Sequence, residues 1–166
     1  MEHFISDLHI DDENILTYEH RPFANLKEME DTIIRNWNNK VEEDDTIYLL
    51  GDVGNPFILN KLKGHIVLVC GNHDNYEYLK NLYPSLEISK YPIMVNGLWL
   101  SHEPITFMPK ECPYLNIHGH LHSLIYGTED RTWKGGNRYF NVSVERINYT
   151  PISLTEIGNI LEYHPI

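Results

Sequence analysis

An α/β fold built on mixed sheets is predicted by three features of this sequence. Strand and helix signals alternate through its first half, one central strand is apolar without alternation, and the second half turns to hairpin and strand signals. Glu2 to Ser6 reads as a short strand. Leu26, Met29, Ile33, Trp37 and Val41 then recur at helical spacing behind Asn25, a residue suited to capping, which predicts an amphipathic helix over about 26 to 39. Thr46 to Leu50 and His65 to Cys70 read as strands. The second is apolar on both faces, as expected in mid-sheet, and the short helix expected over Pro56 to Leu62 between them favours parallel pairing. Tyr91 to Val95 and Leu98 to Ser101 flank Asn96-Gly97, the strongest short hairpin signal, and Tyr114 to His118 and Arg138 to Val144 look like further strands. Ser153-Leu154-Thr155-Glu156 has the capping-box form and predicts a last short helix.

The 166 residues show no repeat, low-complexity tract or Gly/Ser linker, so one unit over 1–166 is expected. A chain of that size buries roughly 70% of its unfolded surface without disulfide staples. Of the two cysteines, Cys70 ends an apolar run and Cys112 precedes a proline. Neither belongs to a CxxC pair, which points to a reducing compartment. The start, MEHFISDLH, has no basic or long apolar segment, and nowhere do about 18 apolar residues run together. A cytoplasmic protein that does not engage membranes is therefore expected. Lys and Arg number 13 against 24 Asp and Glu, a net charge of −11, which opposes sequence-independent binding of duplex nucleic acid.

Six of the ten histidines fall in short clusters with Asp, Asn and Gly. Five segments share one grammar, an apolar strand followed by a polar cluster: Asp7-Leu8-His9, Gly51-Asp52, Gly71-Asn72-His73-Asp74, Ser101-His102-Glu103-Pro104, and His118-Gly119-His120-Leu121-His122. Ligand sites in α/β sheets form outside the carboxyl ends of strands, so all five could converge there. On an extended chain Asp7 with His9, and His120 with His122, would share a face. Gly51, Gly71 and Gly119 allow close backbone approach. Carboxylate, amide oxygen and imidazole without thiolate suit Mn, Fe, Ni or Zn. The donors exceed what one ion needs, and two divalent ions sharing a bridging carboxylate is the natural solution.

The order DxH, GD, GNHD, His and GHxH resembles the calcineurin-like metallophosphoesterase superfamily, and the blocks reach from Asp7 to His122. Asn14-Ile15-Leu16, Arg21-Pro22-Phe23 and Asn141-Val142-Ser143-Val144-Glu145 are similar to its small bacterial and phage-type members. The resemblance implies a sandwich of two mixed β-sheets flanked by helices. It also implies that Asp7, His9, Asp52 and His122 hold one ion, and that Asp52 bridges to a second held by Asn72, His102 and His120. His73 would face the substrate phosphate beside Asn72, as donor and general acid. The paired ions, Mn first, would make a shared water acidic enough to attack phosphorus, so no protein nucleophile is required.

Departures from the family pattern matter as well. Protein phosphatases of the superfamily resemble GDxxDRG where this chain has Gly51-Asp52-Val53-Gly54-Asn55-Pro56, so the Asp that would pair with the catalytic imidazole is replaced by Asn55. The implied substrate is a small phosphorylated compound, with a phosphodiester, nucleotide or cyclic nucleotide, preferred. A phosphomonoesterase or protein phosphatase, and a non-catalytic scaffold module, are the alternatives. Arg21 is a candidate for substrate binding through its planar fork, with ordinary surface the rival reading. His118 is expected in a supporting role and Asp74 as a backbone cap. Ser123 to Asn137 would form a long hairpin or a cover for the substrate. Glu42 to Asp45 is expected as a solvated turn, and His3, His20, His65 and His164 as surface or incidental residues. No feature of the sequence sets the oligomeric state.

Overall fold

The computed structural model describes residues 1–106, 114–124 and 139–161. Its elements in chain order are β1 (Glu2–Ile5), α1 (Ile15–Tyr18), α2 (Leu26–Lys40), β2 (Thr46–Leu49), a 3-10 helix (Pro56–Lys61), β3 (His65–Val69), α3 (Tyr76–Leu82), β4 (Glu87–Ser89), β5 (Ile93–Val95), β6 (Leu98–Leu100), β7 (Leu115–His118), β8 (Tyr139–Asn141), β9 (Ile152–Ser153) and α4 (Leu154–Leu161). They form a five-stranded sheet in the order β4-β3-β2-β1-β9 and a four-stranded sheet in the order β5-β6-β7-β8. Strands β1 to β4 run parallel with β9 antiparallel at the edge, while β6, β7 and β8 are parallel with β5 antiparallel.

Side-chain alternation makes two cores from one sheet. Ile5, Ile47, Leu49, Ile66 and Leu68 pack with Met29, Ile33 and Trp37 of α2. Their neighbours Phe4, Tyr48 and Val69 pack instead against Leu98, Leu100, Leu115, Ile117 and Phe140 of the second sheet. The unbroken apolar run of β3 therefore serves a helix layer on one face and a sheet on the other. Phe4 and Tyr48, register partners across β1 and β2, stack with ring centroids 5.3 Å apart. Asn25 caps α2 by accepting from the Glu28 N–H at 2.9 Å, and the Glu28 carboxylate returns to the Ala24 N–H at 2.7 Å. The expected capping box of α4 forms too: Ser153 Oγ accepts from the Glu156 N–H at 3.3 Å, and Glu156 accepts from the Ser153 N–H at 2.9 Å.

Several expectations change. The strand expected over Arg138 to Val144 ends at Asn141. The chain then crosses to the first sheet, where the Ser6 N–H donates to the Val142 carbonyl at 3.0 Å and the Val144 N–H to Ser6 at 3.2 Å. His3, expected to be incidental, is 1% exposed, and its Nε2 lies 3.2 Å from Asp45 Oδ2. Asp45, expected in a solvated turn, is buried and accepts from the Glu42 N–H at 3.0 Å and from the Met1 amine. The segment Ser123 to Asn137 lies mostly outside the described residues, as do Cys112 and His164. Among the described residues, no helix is long and apolar enough to cross a membrane.

The Met1 ammonium beside Asp45 holds its carboxyl down at about 2. Burial would raise Glu156, but Lys40 and Ser153 outweigh it and also bring it down to about 2. Both folded values lie below the unfolded ones, so their stabilisation is present above about pH 4.5 and is lost as pH falls toward 2. Urea midpoints should drop across that window, and Glu156→Gln should drop less steeply. Parallel slopes for the two proteins would remove Glu156 from the account.

Candidate metal centre

All the polar blocks sit just beyond the carboxyl ends of parallel strands. Asp7 and His9 follow β1, Asp52 follows β2, Asn72 and His73 follow β3, His102 follows β6, and His120 and His122 follow β7. The loops remain hydrogen-bonded beyond the sheets. The Asp7 N–H donates to Gly51 O at 3.0 Å, the His9 N–H to Asp52 O at 2.9 Å, and the Gly119 N–H to His102 O at 2.9 Å. Glycine is needed where a loop passes close to a ligand: a Cβ on Gly71 would collide with Asp52 Oδ1, and one on Gly119 would lie 2.5 Å from Asp7 Oδ2.

The ligand positions pair differently from the extended-chain expectation. Asp7, His9, Asp52, His120 and His122 have φ of 59°, 49°, 54°, 69° and 50°. Each is left-handed, a conformation costing a side-chain-bearing residue about 1 kcal/mol and concentrated at functional sites. Tight αL corners, rather than a shared strand face, aim these side chains inward. In chelated protein, His120→Gly should therefore be about 1 kcal/mol more stable than His120→Ala, measured by urea unfolding; equal stabilities would mean the corner carries no strain.

Among the described residues three groups of candidate ligand atoms result, each within 4.8 Å of one another: Asp7, His9 and His122; Asp7, Asp52 and His102; and Glu19, His122 and Glu145. Asp7 belongs to the first two groups, and Asp52 Oδ2 of the second lies 3.4 Å from His9 Nε2 of the first as well as from His102 Nε2. Asn72 Oδ1 is 2.9 Å from His102 Nε2 and 3.0 Å from His120 Nδ1, and those two nitrogens are 3.2 Å apart. The seven expected ligand residues are thus brought together. Asp7 is fully buried, and its Oδ2 accepts from Ser6 Oγ at 2.5 Å and from the His120 N–H at 3.0 Å, with Ser143 Oγ at 2.8 Å.

The chemistry of these donors fits cations. His102 Nδ1 donates to Leu50 O at 2.7 Å, so Nε2 of the neutral ring is a lone pair, and it faces the oxygens of Asn72 and Asp52, which are acceptors as well. His9 Nε2 is buried without a hydrogen-bond partner. Acceptors turned on one another in a buried place need a positive charge among them. Without a metal, a proton serves: burial pushes His102 down, but Asp52 and Asp7 outweigh it and raise the ring to about 9. Asp52 is held far below the usual carboxylate range, because His102 and His9 overcome the opposing effect of burial.

His73 stands at the exposed rim. Its N–H donates to Asp52 Oδ1 at 2.9 Å, and its ring meets the edge of His9 with centroids 5.4 Å apart. Asp74 caps backbone as expected, accepting from the N–H groups of Asp52 and Gly71 at 2.8 Å and of Val53 at 3.1 Å. Asn55 is turned away to Asp11 Oδ2 at 2.5 Å and to the Phe57 N–H at 3.1 Å. His118 is fully buried, its ring pushed down to about 4 by burial, and Nδ1 lies 2.9 Å from Gly119 O. An open groove of about 310 Å³ beside the cluster is lined by Asn72, His102, Lys90 and Tyr91 among others.

Arg21 requires a correction. Expected at the substrate, it is 4% exposed and lies beneath the cluster, donating to Glu145 Oε1 at 2.8 Å, Leu8 O at 2.9 Å and Asp7 O at 2.7 Å. Its fork is spent on the protein itself. The support of the site from Asn141, Ser143 and Glu145 was not assigned from sequence. The signal was there in the alternation of Asn141-Val142-Ser143-Val144-Glu145, with valines in the two cores and polar residues toward the ligands.

The chain matches the calcineurin-like phosphoesterase family over residues 3–156. An uncharacterised protein of Methanocaldococcus jannaschii is 36% identical over 172 residues, covering 96% of this chain and 90% of that protein. The crystal structure of a protein of unknown function from Aquifex aeolicus superposes with a TM-score of 0.71 at 29% identity, covering 97% of this chain and 99% of that one. With the sandwich of two mixed sheets and the ligand cluster at its strand ends, the match over residues 3–156 is decisive: the chain belongs to the calcineurin-like phosphoesterases, metal-dependent hydrolases of phosphate esters.

Proposed function

We propose that this chain, acting as one unit over 1–166 in the cytoplasm, hydrolyses a small phosphodiester, nucleotide or cyclic nucleotide, with two divalent ions of which manganese is the first candidate. The observation that carries this reading is Asp52 Oδ2, grouped with Asp7 and His102, at 3.4 Å from His102 Nε2 and equally from His9 Nε2 of the neighbouring group. Asp7, His9, Asp52 and His122 would hold one ion, and Asp52, Asn72, His102 and His120 the other. Bound there, the pair would supply a water of lowered pKa and neutralise charge developing on the phosphoryl group.

The protein's own share is positioning and proton transfer. Six buried or half-buried donors and the exposed Asn72 would hold the ions, and His73 at the rim, outside the ligand set, would give a proton to the departing alkoxide. The diester preference is supported by the engagement of Asn55 with Asp11 and Phe57, which leaves His73 without the dyad expected of a protein phosphatase. Arg21 has no part at the substrate.

Chelation should abolish activity, and reloading with Mn, Fe, Ni or Zn should restore it with two ions per chain by elemental analysis. The reloaded protein is then assayed on p-nitrophenyl phosphate, bis-p-nitrophenyl phosphate and 2′,3′- and 3′,5′-cyclic nucleotides. Faster turnover of diesters is expected. A faster monoester would establish the phosphomonoesterase alternative, and one ion per chain would end the dimetal reading.

A further inference from the structure

Glu145 lies outside every metal-ligand block, yet its side chain is only 6% exposed and is turned toward the cluster. Its Oε1 accepts from Arg21 Nε at 2.8 Å and from Nη2 at 2.7 Å, and lies 3.1 Å from His122 Nδ1. The Arg21 side chain is fully buried, and its other contacts include the Leu8 and Asp7 carbonyls, Met29 Sδ and the Tyr149 ring. One carboxylate thus links the end of β1, through Arg21, to the last histidine of the site.

Resting on the dimetal reading above, we propose that Glu145 is a positioning residue: it fixes the tautomer and the ring orientation of His122 and so sets the affinity of the ion held by Asp7, His9 and His122. A carboxylate only accepts, so the hydrogen of His122 must sit on Nδ1 and the lone pair on Nε2, the atom left to face a cation. The ring has little freedom to turn otherwise. The His122 backbone is held by Asn141 Nδ2, which donates to its carbonyl at 3.0 Å, and the ring packs tilted against the His9 ring with centroids 5.2 Å apart. Arg21 prevents Glu145 from swinging away, because a guanidinium bonded to two backbone carbonyls is fixed in the frame. The second ion has a different arrangement. His102 takes its orientation from the backbone carbonyl of Leu50, which no side-chain substitution alters. Glu145 therefore acts on one ion alone, and the two sites can be tuned apart.

The test uses the full chain, stripped by chelation and titrated with Mn²⁺ by calorimetry and electron paramagnetic resonance. Wild type should show two sites. Glu145→Gln, whose amide can present either oxygen or NH₂ to Nδ1, should weaken one site about 10- to 100-fold and leave the other unchanged. Glu145→Asp, retaining the charge, should recover part of the loss, which a merely structural role would not predict. Unchanged affinity at both sites in Glu145→Gln would overturn the proposal. So would equal weakening of both sites, or a third ion in wild type lost on substitution, which would make Glu145 a ligand together with Glu19, whose carboxylate is grouped with it and His122. Nitrogen-15 spectra of zinc-loaded wild type give a check needing no variant: the His122 hydrogen must be on Nδ1, and finding it on Nε2 overturns the assignment. His122→Ala separates this idea from its foundation. If that variant still binds two ions with wild-type affinity, the metal assignment itself is wrong; if it loses one while Glu145→Gln loses none, only the positioning role fails.

Discussion

His73→Ala should keep its fold and both ions, yet lose about 10²- to 10⁴-fold in turnover of a substrate with an alkoxide leaving group. The hydrogen bond tying this loop to the bridge is made by the His73 backbone, which donates to Asp52 Oδ1 at 2.9 Å, and truncating the ring leaves it in place. What disappears is the exposed ring proposed as the proton donor. The loss should be much smaller for p-nitrophenolate, which departs without protonation. Parallel assays on alkyl and p-nitrophenyl diesters, with elemental analysis of the variant, provide the comparison. Equal losses on both substrates would make His73 a phosphate-binding donor, and loss of metal would make it a ligand.

Asp52→Asn should lower the occupancy of both ions together, with affinity at each falling more than the roughly 10- to 100-fold that removing a supporting hydrogen bond costs. Asn retains the shape and an oxygen, so the loops should still pack, but the buried charge shared by His9 and His102 is gone. His9→Ala should instead deplete chiefly one ion. Metal content after dialysis distinguishes them, and loss of a single ion in both variants would remove Asp52 from the bridge.

The clustering of the candidate ligands was legible because each block is local text at a strand end: the turn residues, the glycine and the donor are neighbours in sequence. The αL geometry of Asp7, His9, Asp52, His120 and His122 was not, since no residue type announces a corner that only tertiary packing over-determines. Arg21 was misread for a related reason. A lone arginine before a proline reads as a substrate contact or as surface until its partner, 124 positions away, is brought to it. Helix α3 escaped notice because Leu79 is its single buried residue and leaves no stripe, and β4 because Glu87-Ile88-Ser89 is a polar edge strand. Capping signals were more dependable: Asn25 and Ser153 each start the helix they predicted.

The crossing of the chain from Asn141 in the second sheet to Ser143 beside β1 has a consequence for folding order. Ligands drawn from β1, β2, β3, β6 and β7 meet only when both sheets exist and this stitch has closed between them. The unfolded chain offers an ion only short local pairs, Asp7 with His9 and His120 with His122, so metal is not expected to nucleate this fold as it does in a small zinc module. The slow search is expected in the long-range strand pairings, with ions binding a scaffold already made. Chelation should consequently silence the protein without unfolding it, and one ion can be exchanged for another without repeating that search.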